Sequence, residues 1–141
     1  MKNMMRIMLG ATLCALLVFP AVCFGAGALE KLQGPWVVAV EETIEANPDM
    51  AEGIKASDGK EFKAMLVQEL SAIKFTFDVA AKTLASEGHN VPHAVQPFEA
   101  SNETDTAVDV ASGGETHRLT LTATGMDMAL DNSGIIKLKR P

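Results

Sequence analysis

Ile73-Lys74-Phe75-Thr76-Phe77-Asp78-Val79 alternates apolar and polar residues with a period of two. Successive side chains of an extended strand point to opposite faces, so Ile73, Phe75, Phe77 and Val79 share one face and Lys74, Thr76 and Asp78 the other. The spacing predicts a strand with one covered face and one wet face. The same rhythm runs on towards the C-terminus. Thr83 to Glu87 reads as a weaker strand, followed by the turn Gly88-His89-Asn90. Ala94 to Ala100 reads as a less regular strand, an edge or a bulge, because Pro97 cannot donate to a ladder. Val108 and Val110 mark the next strand, and Gly113-Gly114 is a hairpin signal. Leu119, Leu121 and Ala123 then alternate with Arg118, Thr120 and Thr122. Met126, Met128 and Leu130 alternate with Asp127 and Asp131. After Asn132-Ser133-Gly134, the residues Ile136, Leu138 and Arg140 share a face of the last strand.

On the N-terminal side, Gly34-Pro35-Trp36-Val37-Val38-Ala39-Val40 is rich in β-branched residues and opens on turn residues, which predicts a first strand. Residues 41–72 have a different period. Glu42 to Ala46 predicts a short helical turn stopped at Asn47-Pro48. Asn47 then serves as N-cap and Pro48 as first residue of a second helix, which runs to about Ala56. Asp58 with Glu61 resembles a capping box for a third helix, in which Phe62, Met65, Leu66, Leu70 and Ile73 fall on one stripe. The fold class expected is mainly β: an antiparallel meander of about eight strands, curled into a barrel or half-barrel, with short helices inserted after the first strand.

Residues 1–28 read as a signal peptide. Lys2 and Arg6 precede the uncharged apolar stretch Ile7 to Phe19, and small residues lead to Ala26-Gly27-Ala28, an A-x-A-like cleavage pattern. The apolar stretch is shorter than the roughly 20 residues a bilayer span needs, and Pro20 breaks it. Cleavage after Ala28 is therefore expected, leaving residues 29–141 as a single domain in the periplasm or outside the cell, with no stable membrane insertion. Both cysteines, Cys14 and Cys23, leave with the leader, so the core has to hold the fold without a disulfide.

The chain carries 12 Lys and Arg against 18 Asp and Glu, a formal charge of −6, and loss of Lys2 and Arg6 makes the balance more acidic. An acidic chain with scattered basic residues argues against nucleic acid and anionic membrane surfaces as partners.

Gly34-x-Trp36 on the first strand, with Arg140 in phase on the last, resembles the opening and closing strands of the calycins, the lipocalin and fatty-acid-binding-protein group. The resemblance implies a lipocalin-like, calycin-type small β-barrel domain of a bacterial exported protein. It also implies a tryptophan near the base of the barrel beside a basic residue from the last strand, and helices acting as a lid. The chain has no tyrosine, so the Arg-x-Tyr carboxylate clamp of fatty-acid-binding proteins has no counterpart.

Few residues suggest chemistry. Glu87, His89 and His93 lie close in sequence, but two histidines and one carboxylate interrupted by Pro92 do not complete a structural metal site. Met126 and Met128 read as core, and Asp127, Asp131 and Asn132 lack the oxygen-ligand spacing of a calcium loop. His117 reads as an exposed strand-end residue. No G-x-S-x-G occurs and no serine has an evident histidine partner. The expectation is a non-enzymatic binding protein without metal or cofactor. Its small apolar or amphipathic ligand would lie against Trp36, Phe62, Met65, Phe75 and Phe77, with Arg140 as the basic partner. The alternative is a protein-interaction or inhibitor-like module with a filled core, docking through the Pro97 strand to a protein partner the sequence does not name.

Overall fold

The period-two segments form strands and the apolar stripe of residues 59–71 forms a helix, in a computed structural model that describes residues 27–56, 59–89, 92–130 and 134–141. Most of the expected leader, the helix start at Asp58, and Asn90, Asp131 and Asn132 lie outside the described residues. A short helix α1 (Ala28–Lys31) leads into β1 (Gly34–Val38). Three helices follow: α2 (Val40–Ala46), α3 (Pro48–Ala56) and α4 (Gly59–Ser71). The chain then runs through β2 (Lys74–Asp78), β3 (Thr83–Glu87), β4 (Ala94–Ser101), β5 (Ala107–Ser112), β6 (Glu115–Leu121), β7 (Met126–Ala129) and β8 (Ile135–Lys139). Each strand pairs antiparallel with the next, and β8 returns to β1 through Val37↔Lys139 and Val38↔Leu138, closing an eight-stranded barrel.

Closure rests on local devices at the turns and strand ends. Between β5 and β6, Gly113 and Gly114 have φ of 62° and 84°, and the register Ser112↔Glu115 leaves a two-residue hairpin loop of the twist-matched kind. Pro97 lies inside an eight-residue strand of a closed sheet rather than on an edge strand. β4 pairs with β3 through Ala94–Pro97 and with β5 through Phe98–Ser101. The Phe98 N–H donates to Lys82 O at 2.9 Å, towards β3. Backbone groups alternate in direction, so the Pro97 nitrogen faces the other side, beyond the last β5 residue paired there, where no ladder donor is needed. Its carbonyl on that side accepts from Ser112 Oγ at 3.1 Å.

α2 takes over where β1 stops. β1 pairs with only two residues of β8, and above them the helix supplies the missing partners. Ala39 N–H donates to Lys137 O at 2.8 Å, and Lys137 N–H donates to the Thr43 hydroxyl at 3.0 Å. Asn47 Oδ1 accepts from Ile135 N–H at 3.0 Å while its Nδ2 donates to Ile135 O at 2.7 Å. Thr43 is fully buried by this arrangement. Asn47 thus holds the N-cap position before α3, its carbonyl accepting from Met50 N–H, but its side chain is committed to β8. Two competing uses of one amide were open, and the sheet takes it because exposed strand groups otherwise lack partners.

Candidate ligand cup and its closed floor

Directly opposed residues of an antiparallel pair point to the same face, so the register traces the barrel interior from strand to strand. Trp36 opposes Phe75 and Gly34 opposes Phe77. Phe77 opposes Leu84, which opposes Gln96, and Phe75 opposes Ser86, which opposes Ala94. Phe98 opposes Ser112 and Ala100 opposes Val110. Val110 opposes His117 and Ser112 opposes Glu115. Leu119 opposes Met128, which opposes Ile136, and Met126 opposes Leu138.

The two ends of this interior differ. At the end closed by α1, here the floor, Trp36, Phe77, Phe98, Val108, Leu119, Met126 and Leu138 are all buried. Phe77 and Phe98 meet edge-to-face with centroids 5.9 Å apart, the arrangement aromatic quadrupoles favour. At the end where α2, α3 and α4 lie, here the opening, Phe75, Ser86, Ala94, Ser112, His117, Leu130 and Ile136 are only half-buried and Gln96 and Glu115 are exposed, while Val38 is buried. The helices cover this end unevenly: α2 buries Thr43 and Ile44. α3 has no buried residue, and α4 buries Leu70 alone.

The floor is held by a clasp of three elements. Ala28 and Leu32 are fully buried, Ala28 N–H donates to Thr104 O at 3.0 Å, and Trp36 Nε1 donates to Leu32 O at 2.8 Å. Arg140 stacks its guanidinium 3.8 Å from the Trp36 ring centroid, a cation–π contact. Its Nη1 donates to Pro35 O at 3.0 Å and its Nη2 to Lys31 O at 2.8 Å. Partial desolvation lowers the Arg140 pKa, leaving the group charged at neutral pH. Gly34, at φ 100°, lets this side chain pass: a Cβ there would sit 3.3 Å from Arg140 Nη1. A groove of about 640 Å³, wide open to solvent, runs outside the floor between Lys31, Asp105, Thr106, Thr124 and Arg140.

The six residues expected to hold a ligand therefore separate. Trp36, Phe75, Phe77 and Arg140 are brought together, but Trp36 and Phe77 are packed into the floor and Arg140 clasps it from outside. Phe75 is the one of the six that both faces the interior and stands at the opening. Phe62 packs against α3, where a Cβ on Gly53 would lie 2.8 Å from its ring. Met65 is 50% exposed. The polar inward positions Ser86, Gln96, Ser112, Glu115 and His117 carried no expectation as site residues. They were readable all the same, since counting back in twos from Leu121 through Leu119 reaches His117 and then Glu115.

Charges elsewhere sit mainly on the outer wall. Asp109 accepts from Asn102 Nδ2 at 2.8 Å and from Arg118 at 2.9 Å, and these hydrogen bonds hold its carboxyl below the ordinary value. Lys137 pairs with Asp127 at 2.9 Å, and His93 meets Glu87 at 3.1 Å. Among the described residues, no three His, Cys, Asp or Glu gather to hold a metal ion, and no helix is long and apolar enough to cross a membrane. In comparisons with protein-family models, curated proteins and solved structures, the chain matches none.

Proposed function

We propose that this protein is an exported, non-enzymatic, lipocalin-like binding protein that holds a small apolar or amphipathic ligand in the half of the barrel nearest the helices. The carrying observation is the change in burial along one continuous interior face, from the buried Phe77 to the half-buried Phe75 two residues earlier. Inward apolar side chains left partly exposed at the end where the helices lie suit an apolar pocket with a helical cover. The Trp36–Arg140 stack at the floor and the helices after the first strand favour the lipocalin-like assignment. The pattern of residues 1–28 favours export to the periplasm or beyond.

Native mass spectrometry of protein purified from its host tests this reading. A reproducible added mass, lost on unfolding, is the expected result. Repeated preparations without one, together with an experimental structure in which the opening is filled by side chains, would refute it.

The interaction-module reading has one specific observation in its favour. The Ala94–Pro97 half of β4 pairs with β3 alone, and Val95 there is 57% exposed, which suits strand addition by an extended partner. Cross-linking through position 95 in the native host, yielding a single defined partner, would favour that reading over a ligand cup.

A further inference from the structure

α1 is a single turn, Ala28–Lys31, with Gly27 as its N-cap. An N-cap carbonyl accepts the first bond of its helix, so Gly27 and Ala28 supply the acceptors that close this turn. Further bonds tie the turn to the loop between β4 and β5. Ala28 N–H donates to Thr104 O at 3.0 Å, Leu29 N–H to Glu103 Oε1 at 3.1 Å, and Lys31 Nζ to Asp105 O at 3.1 Å. The loop is braced to receive them: Thr104 N–H donates to Ala107 O at 2.7 Å, and the Thr104 hydroxyl accepts from Ala107 N–H at 2.9 Å. Ala28 is fully buried, and a Cβ on Gly27 would collide with the Glu103 carboxylate. Both residues are fitted parts of the floor.

A cut after Ala28, which the small residues Ala26 and Ala28 suit, would discard both. The new ammonium on Leu29 could still meet Glu103. The turn, however, would lose its N-cap and its first acceptors, keeping only the tighter bonds from Leu32 N–H to Leu29 O and from Gln33 N–H to Glu30 O. The clasp depends on that turn, because Leu32 O holds Trp36 Nε1 and Lys31 O holds Arg140 Nη2. A segment discarded before folding has no reason to fit the folded domain, yet Gly27 and Ala28 fit it closely.

We infer that the leader is removed ahead of Gly27, at the Gly25–Ala26 bond, so that the mature chain keeps Gly27 and Ala28 to complete the barrel floor. A signal peptidase needs small residues at the first and third positions before the bond it cuts. Gly25 and Cys23 hold those positions here, whereas Phe24 is too bulky to serve the Ala26–Gly27 bond. Hydrolysis consumes one water and leaves a carboxylate on Gly25 and an ammonium on Ala26. The inference rests on the export part of the proposed function and adds to it the place of processing.

The test is N-terminal sequencing and intact mass of the full chain, expressed in its host with a C-terminal tag and purified. A chain beginning at Ala26 is the expected result. Gly25→Phe, which sets a bulky ring beside the scissile bond, is expected to abolish the Ala26 start. A chain beginning at Ala28 or later, or a Gly25→Phe protein with an unchanged first residue, would overturn the inference while leaving export in place. A chain that keeps Met1 and stays in the cytoplasm would remove the export reading and the inference with it.

Discussion

The floor and the opening of the barrel are made by the same strands with the same alternation, yet the inward side chains of one are buried and most of those of the other only partly so. At the floor the inward positions carry Trp36, Phe77, Phe98, Leu119, Met126 and Leu138, large enough to meet across the interior. At the opening the same strands present the small or polar Ser86, Ala94, Ser112 and His117 beside Phe75, Leu130 and Ile136. Alternation decides which face is inside. Side-chain volume decides whether the inside is core or cavity. Under the proposed function, binding and stability lie at opposite ends of one sheet, with the floor, its clasp and the closed hydrogen-bond ladder holding the barrel.

The comparison breaks most visibly if truncations at the two ends cost the same. Phe77→Ala removes a buried ring that also meets Phe98, and a loss of about 3–5 kcal/mol in urea unfolding is expected. Phe75→Ala, two residues away on the same face, is expected to cost less because its ring is only partly buried. Equal losses would mean that the opening is packed like the floor.

A smaller effect tests the clasp. Arg140→Ala removes the stack on Trp36 and two charged hydrogen bonds to the carbonyls of Lys31 and Pro35, and about 1–2 kcal/mol of stability should be lost. Arg140→Lys should recover only part of it, since an ammonium cannot fork to both carbonyls while lying flat on the ring. Affinity for a small ligand at the other end should stay unchanged in both variants, measured by calorimetry.

The smallest effect concerns the outer wall, which belongs to neither end. The Asp109 carboxyl is held below its usual value, first by Asn102 and then by Arg118. Its contribution to stability is complete above the unfolded-state carboxylate range and declines as pH falls through the lower folded value. Carboxyl-carbon NMR titration should find Asp109 titrating below a free aspartate, and Asn102→Ala should move it back up.

Much of this was legible before the structure. The period of two after Ile73, the glycine pair at 113–114 and the helical stripe within 59–71 each recorded a local geometric requirement, and all three appear where those requirements place them. Arg140 beside Trp36 was what the calycin resemblance implied, and the alternation put Arg140 in phase for it, though the side chain clasps the floor from outside instead of pointing inward. What was not legible depended on distant partners. Pro97 looked like an edge residue because nothing local shows that β5 has already ended beside it. Asn47 looked like a helix cap because nothing local shows that Ile135 lies within reach. His117 looked exposed because it stands beside Arg118 at a strand end, whereas the register opposite Val110 turns it inwards. The division of the site residues between floor and opening was hidden for the same reason: alternation gives the side of the sheet, not the depth within the barrel.

Methyl NMR during titration with an uncharged apolar probe, N-phenyl-1-naphthylamine, tests the central division between floor and opening most directly. The expected result is saturable shifts confined to the methyls of Leu130 and Ile136, with those of Val108, Leu119 and Leu138 left in place. Shifts of equal size at both ends, or none at any of the five, would contradict a barrel that is packed at one end and open at the other.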